Sequence, residues 1–116
     1  MEAQVDSRRE KVLDFLFKLA KVEPSVSDIL LVAGSPAVVR SGGLLKGVGT
    51  RVLLDSDIEA ILGAVLPSDA VLNDVVQHNI IDYDCSFFVP GLARFRVNVF
   101  YQLNKPALVL RQIPVD

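Results

Sequence analysis

The 116-residue sequence contains one cysteine and one histidine, has little excess of either charge and lacks a long apolar run. Because Cys85 is the only cysteine, the chain cannot form an internal disulfide, and a reducing cytosol is its natural setting. Its apolar runs fall short of the roughly 20 residues that a transmembrane helix needs. The polar N-terminal segment also lacks the apolar centre of a signal peptide. The sequence therefore predicts a cytoplasmic domain without direct membrane insertion.

The chain also lacks the patterns that would predict catalysis, a cofactor or a metal within these residues. The formal net charge of -2 gives no whole-chain reason to expect nucleic-acid binding. Neither the phosphate-binding motif G-x-x-x-x-G-K-[ST] nor an acidic Walker B strand is present, so the chain alone is not an ATPase. One histidine and one cysteine give a zinc site little support. We interpret His78 as a partner of a helix C-terminus and Cys85 as a buried, small apolar side chain.

The apolar fraction of 51% excludes disorder and suffices for the core of a single domain spanning 1–116. Apolar periodicity and capping signals predict three helices. They are a helix over 7–22 with a capping box of Ser7 and Glu10, a helix from Asp55 with a box of Ser56 and Glu59, and a shorter helix from Pro67 to about His78.

The remaining segments, within 26–114, have the short apolar or alternating patterns of strands. They are 27–33, 37–41, 80–89, 93–102 and 107–113, and the pair 44–48 and 51–54 continues the meander after 37–41. Gly42-Gly43 predicts a primed hairpin turn, and Asn104-Lys105-Pro106 predicts the turn before the last strand. The sequence thus predicts an α+β fold, in which an antiparallel sheet of five or six strands carries about three helices mainly on one face.

The last two predicted strands carry three arginines. A period of two places Arg94, Arg96 and Asn98 on one face of their strand, while the apolar residues between them face the core. If the hairpin loop has an even number of residues, Arg111 shares that face and lies about 7–8 Å from Arg96, a cross-strand diagonal. Like charges this close repel each other, so we expect a negative group between them.

Two sources of that negative charge are open. Asp82 and Asp84 alternate onto one face of the preceding strand and could form internal ion pairs, which contribute about 0–1 kcal/mol at an exposed site. Alternatively, the counter-charge is an external anion, because the planar guanidinium fork suits phosphate oxygens. Arginines that one subunit presents to a phosphate held by another would act as arginine fingers.

The stretches SDILLVAGSPAVVRSGG, DCSFFVPGLARFRVNVFYQ and VLRQIP resemble the N-terminal domain of the PilT-like type IV pilus retraction ATPases. These are twitching-motility motors of the secretion ATPase superfamily. Leu30, Gly42 and Cys85 depart from the family pattern, which usually has a histidine, an aspartate and an aromatic residue there. Matching positions are Ser27, Asp28, Gly34, Pro36, Arg40, Gly43, Asp84, Pro90, Gly91, Arg94, Phe95, Arg96, Val97, Asn98, Phe100, Arg111, Ile113 and Pro114.

The resemblance implies a PAS-like domain that precedes a RecA-like motor domain and packs on a neighbouring subunit of a homohexamer. It implies ATP and Mg²⁺ in the full-length protein, with Arg96 and Arg111, and then Arg94, as the arginines that reach the nucleotide. It also implies a location at the pilus machinery of the inner membrane. Residues with an interface or structural role in the motif would be Ser27, Asp28, Arg40, Asp84 and Asn98.

We therefore expect the chain to be an excised N-terminal domain that a motor domain follows. The alternative is a stand-alone PAS-like ligand-binding or dimerisation module without ATPase activity. The sequence does not distinguish a role in pilus retraction from one in pilus assembly or secretion.

Overall fold

A computed structural model describes the backbone of residues 2–91 and 93–113 and the side chains of 7–91 and 94–113. Its elements, in chain order, are α1 (Glu2–Lys21), β1 (Val26–Leu31), β2 (Val38–Ser41), β3 (Leu44–Gly47), α2 (Asp55–Val65), α3 (Asp69–Val76), β4 (Asp82–Val89), β5 (Ala93–Gln102) and β6 (Lys105–Ile113). Pro114, the last residue of the predicted sheet-and-helix range and of the motif, lies outside the described residues.

The six strands form one antiparallel sheet in the order β3-β2-β1-β6-β5-β4. The prediction of an α+β fold with an antiparallel sheet and three helices is confirmed. Most neighbours are joined by hairpins, but the central pair β1 and β6 brings together segments from opposite ends of the chain. In that pair Asp28 lies opposite Arg111, and Leu30 lies opposite Val109.

The hydrophobic core lies between one face of the sheet and the helices. On β5 the buried residues alternate with more exposed ones, as the period of two predicted, and the buried set faces the helices. Each fully buried aliphatic or aromatic side chain contributes about 1.5–3 kcal/mol relative to an exposed one. The largest buried side chains are Leu16 from α1, Ile58 and Leu62 from α2, and Ile29, Leu31, Phe95, Leu108 and Leu110 from the sheet. On the opposite face, called the open face below, Ser86, Arg96 and Arg111 are exposed, and none of the described helices covers them.

Two hairpin turns set the register of the sheet. The β2–β3 turn is Gly42-Gly43, with φ angles of 58° and 80°, as the primed-turn prediction requires. The β5–β6 turn differs from the prediction: it consists of Leu103 and Asn104, with φ angles of 51° and 66°. Lys105 already pairs with Gln102, so it belongs to β6. This two-residue loop has the even length that places Arg96 and Arg111 on one face.

The predicted start of α1 and the predicted capping box of α2 are wrong, whereas α2 begins at Asp55 as predicted. Helix α1 begins at Glu2, so Ser7 lies within the helix and does not cap it. Helix α2 is capped at Leu54, whose N–H donates to the Asp57 carboxylate at 2.8 Å; a Ser56–Glu59 box is not what starts it. The box forms two residues earlier than predicted, because Asp57, the third residue of the helix, accepts from the N–H of the actual cap residue, Leu54.

The third helix starts as predicted, since the Ser68 hydroxyl accepts from Val71 N–H at 3.2 Å. The predicted strand over 51–54 is not a sheet strand. Leu53 instead exchanges two backbone hydrogen bonds with the turn after β1, accepting from Gly34 N–H at 2.8 Å and donating to the Ser35 carbonyl at 3.0 Å. This segment ties the start of α2 to the end of β1.

Candidate functional site

One row of side chains crosses the open face of the sheet from edge to edge. We call it the arginine row. Cross-strand register aligns its members, one from each strand in the order β3 to β4: Leu45, Arg40, Asp28, Arg111, Arg96 and Ser86. Three arginines and one aspartate give the row an excess of positive charge. This excess arises from the pairing of the strands and is not visible in the net charge of the chain.

Arg96 and Arg111 are directly opposite residues of β5 and β6. Their Cβ atoms are therefore closer than the predicted diagonal, at the roughly 4.5–5.5 Å of a direct cross-strand pair. Both side chains are exposed. Two guanidinium groups placed this way repel each other, and they are well placed to share one multivalent anion.

One carboxylate, that of Asp28, contacts this pair. Its Oδ2 accepts a hydrogen bond from Arg111 Nε at 3.3 Å, and the same contact is an ion pair. Asp28 is 6% exposed, whereas the Arg111 side chain is 70% exposed. Sequence reasoning placed Asp28 at an interface or in the motif but missed this contact. The partners are 83 positions apart, and only the pairing of β1 with β6 brings them together.

Asp82 and Asp84 do not pair with the arginines. Both accept from the side-chain amide of Asn98, at 2.8 Å and 3.1 Å. Within the part of the chain that the structure describes, no carboxylate forms an ion pair with Arg96. The internal counter-charge is therefore Asp28, which pairs with Arg111. Arg96 forms no ion pair with the described carboxylates.

The other motif residues lie around the row. Arg94 is exposed on the open face and opposite Phe88 and Ile113. Arg40 is half-buried, and its Nη1 donates to the Gly43 carbonyl at 3.4 Å. The Ser27 hydroxyl donates to the Arg40 carbonyl at 3.4 Å. The Ser27 contact ties β1 to β2 beside Asp28, and the Arg40 contact ties β2 to the β2–β3 turn.

His78 and Cys85 are not members of the arginine row. His78 follows the end of α3 with a φ of 65°, and its ring meets the edge of the Tyr101 ring at a centroid distance of 4.6 Å. Burial, and secondarily the charge of Asp84, raises the pKa of the Cys85 thiol above its usual value of 9.0. A thiol with a raised pKa is a poor nucleophile at neutral pH.

Among the described residues, no group of histidine, cysteine, aspartate and glutamate side chains could hold a metal ion. None of the helices described is both long and apolar enough to cross a membrane. The exposed arginines of the open face can donate guanidinium N–H groups to an anion.

The fold and the site define the class of the protein: an α+β domain whose antiparallel sheet presents arginines on an uncovered face. No family model matches the chain. Over 88 residues it is 34% identical to the type IV pilus retraction ATPase PilT of Pseudomonas aeruginosa, a match that covers 76% of this chain and 25% of that protein. Over 99 residues it is 31% identical to the type IV pilus ATPase PilU of the same organism, with 82% and 24% covered.

Solved structures give the same result. A crystal structure of the pilus retraction motor PilT with bound ADP superposes with a TM-score of 0.71 at 31% identity, over 86% of this chain and 29% of that one. The ATPase DotB of Yersinia pseudotuberculosis gives 0.63 at 26% identity, over 100% and 31%. The chain is therefore a homologue of the PilT-like type IV pilus ATPases, and the resemblance of its motifs is confirmed. It spans about a quarter of the length of the curated relatives that it matches.

Proposed function

We propose that this chain is the N-terminal domain of a hexameric PilT-like type IV pilus retraction ATPase, and that its open face supplies Arg96 and Arg111 to the nucleotide site. The observation that carries the proposal is the direct pairing of these two exposed arginines in a homologue of PilT. Arg94, exposed on the same strand and face, is the third candidate.

The charge balance of the open face supports this role. Asp28 supplies one carboxylate to Arg111, and Arg96 forms no ion pair with the described carboxylates. A phosphate chain brings several negative oxygens to one place and matches two adjacent guanidinium forks. In phosphoryl transfer, charge builds up on those oxygens, and an arginine stabilises it.

The proposal assigns the rest of the ATPase chemistry to a motor domain. That domain would hold ATP and Mg²⁺ through its own phosphate-binding loop, since these 116 residues contain none. In the ring, this domain would pack on the motor domain of its own chain and on a neighbouring subunit, in the cytoplasm and beside the inner-membrane pilus machinery. Ser27, Arg40, Asp84 and Asn98 would keep the strands under the arginine row in register.

The test is ATP hydrolysis by the full-length protein carrying Arg96→Ala or Arg111→Ala. Loss of an arginine finger costs about 10³–10⁵ in kcat, so we expect kcat to fall by that order. The melting temperature should change little for Arg96→Ala, because its side chain is exposed and forms no ion pair with the described carboxylates. Arg111→Ala should lower it, because that variant removes the partner of the buried Asp28 carboxylate. Lys18→Ala is the matched control, because it removes an exposed cation from the helical side and should leave kcat unchanged. A double arginine variant with the kcat of the wild type would refute the proposal.

The alternative, a stand-alone ligand-binding or dimerisation module, makes the opposite prediction about size. If the native protein in its source cells has a mass far above 12.7 kDa, a motor domain follows this one. A native mass close to that value would favour the stand-alone module.

A further inference from the structure

The open face contains a buried charge that the proposed function does not use. Asp28 is 6% exposed and is the one charged side chain that is buried among those the structure describes. Burying a carboxylate is unfavourable unless it is paired and hydrogen-bonded. Asp28 lies at the centre of the sheet, on a strand flanked by β2 and β6. We therefore expect its carboxylate to have a specific partner that pairs with it and donates a hydrogen bond to it.

Asp28 has arginines opposite it on both neighbouring strands, but it contacts them differently. On β2 its opposite residue is Arg40, whose Nη1 donates elsewhere, to the Gly43 carbonyl at 3.4 Å. On β6 its opposite residue is Arg111, whose Nε donates to Asp28 Oδ2 at 3.3 Å. The carboxylate is thus engaged with Arg111.

The Arg111 atom that contacts Asp28 determines which of its N–H donors stay available for a second acceptor. A guanidinium has five N–H donors, one on Nε and four on the two Nη atoms. A bond through Nε fixes the orientation of the planar group and leaves the Nη donors for another acceptor. Because the Arg111 side chain is 70% exposed, those donors are accessible from the open face. Arg96, directly opposite, has no such anchor among the described carboxylates.

We propose that Asp28 is a positioning residue, which holds the Arg111 guanidinium so that its Nη groups meet the anion that Arg96 also contacts. The identity of that anion, a nucleotide phosphate, rests on the proposed function. On this view Arg111 contributes oriented hydrogen bonds, whereas Arg96 contributes mainly charge.

The test is a double-mutant cycle on ATP hydrolysis by the full-length protein, with Asp28→Asn, Arg111→Ala and the two combined. Asparagine keeps the size of the side chain but removes the charge that holds Nε. We expect Asp28→Asn to lower kcat on the order of 10²-fold, the effect of a catalytic group misplaced by about 1 Å. KM should change little. In the Arg111→Ala background, Asp28→Asn should have no further effect, because residues that act through one another are not additive.

The outcomes separate this inference from the proposed function. If Arg111→Ala keeps wild-type kcat, both are overturned. If Arg111→Ala lowers kcat but Asp28→Asn lowers it equally in both backgrounds, Asp28 has only a structural role and the positioning inference alone fails.

Should Asp28→Asn not fold, as judged by its melting curve, Arg111→Lys provides the second test. Lysine keeps the charge but has neither Nε nor a planar fork. The inference predicts that Arg111→Lys loses nearly as much kcat as Arg111→Ala. A wild-type kcat for Arg111→Lys would overturn it.

Discussion

Asn98 offers a prediction that the isolated domain can test. Its side-chain amide donates to both Asp82 and Asp84, at 2.8 Å and 3.1 Å, and so holds two like charges side by side on β4. Asn98→Asp keeps the shape of the side chain, removes both donated hydrogen bonds and adds a third carboxylate. We therefore expect this substitution to destabilise the domain at neutral pH.

The magnitude follows from the contacts. Each lost hydrogen bond is worth about 0.5–1.5 kcal/mol. Two new repulsions at about 4 Å add on the order of 1 kcal/mol each in water-like surroundings, and the exposure of both aspartates favours the lower end of these values. The expected loss in the free energy of unfolding is thus about 3 kcal/mol at low salt.

The assay is urea unfolding at low and high salt, at pH 7. Because ions screen exposed charges, about 1 M salt should restore much of the repulsive part. The matched control is Asn73→Asp, an exposed asparagine of α3 that should change stability by less than about 0.5 kcal/mol. Equal stability of Asn98→Asp and the wild type at low salt would refute the reasoning, as would a loss that salt does not reduce.

Two further predictions concern the Cys85 thiol and the last hairpin. Burial raises the pKa of the Cys85 thiol in the folded state above 9.0, so the thiol of the unfolded chain deprotonates at a lower pH. The stability that the neutral thiol contributes is complete below pH 9 and is lost as pH rises through the folded pKa. Urea unfolding between pH 8 and 10.5 should therefore show a steeper loss for the wild type than for Cys85→Ala, and equal slopes would contradict this. Leu103 is 89% exposed with a φ of 51°, so Leu103→Asn should relieve left-handed strain and stabilise the domain by about 0.5–1 kcal/mol; an unchanged or lower melting temperature would count against it.

The sequence predicted the parts of the fold that local patterns determine. Alternation along 93–102 assigned Arg96 to the open face and Phe95 to the core, because strand geometry alone fixes that relation. The Gly42-Gly43 pair alone was enough to predict the β2–β3 turn, because two residues without Cβ adopt positive φ readily. Leu103 could not be predicted as a turn residue, because leucine rarely adopts a positive φ and the pairing of β5 with β6 imposes it here.

The candidate site was predictable only within one hairpin. The facing of Arg96 and Arg111 follows from local register. The contact of Arg111 with Asp28 requires β1 to lie beside β6, and no local pattern determines which distant strands become neighbours. The contacts of Asp82 and Asp84, in contrast, depend on the register of the β4–β5 hairpin, which was not predicted. That register places Asp84 opposite Asn98, and both aspartates accept from its amide instead of pairing with the arginines.

The most direct test of the account is a structure of the full-length protein with a non-hydrolysable ATP analogue bound. We predict guanidinium nitrogens of Arg96 and Arg111 within about 3.2 Å of phosphate oxygens, with Arg111 Nε still donating to Asp28. A structure in which both guanidinium groups lie in solvent, or pair only with protein carboxylates while the nucleotide is bound, would contradict it.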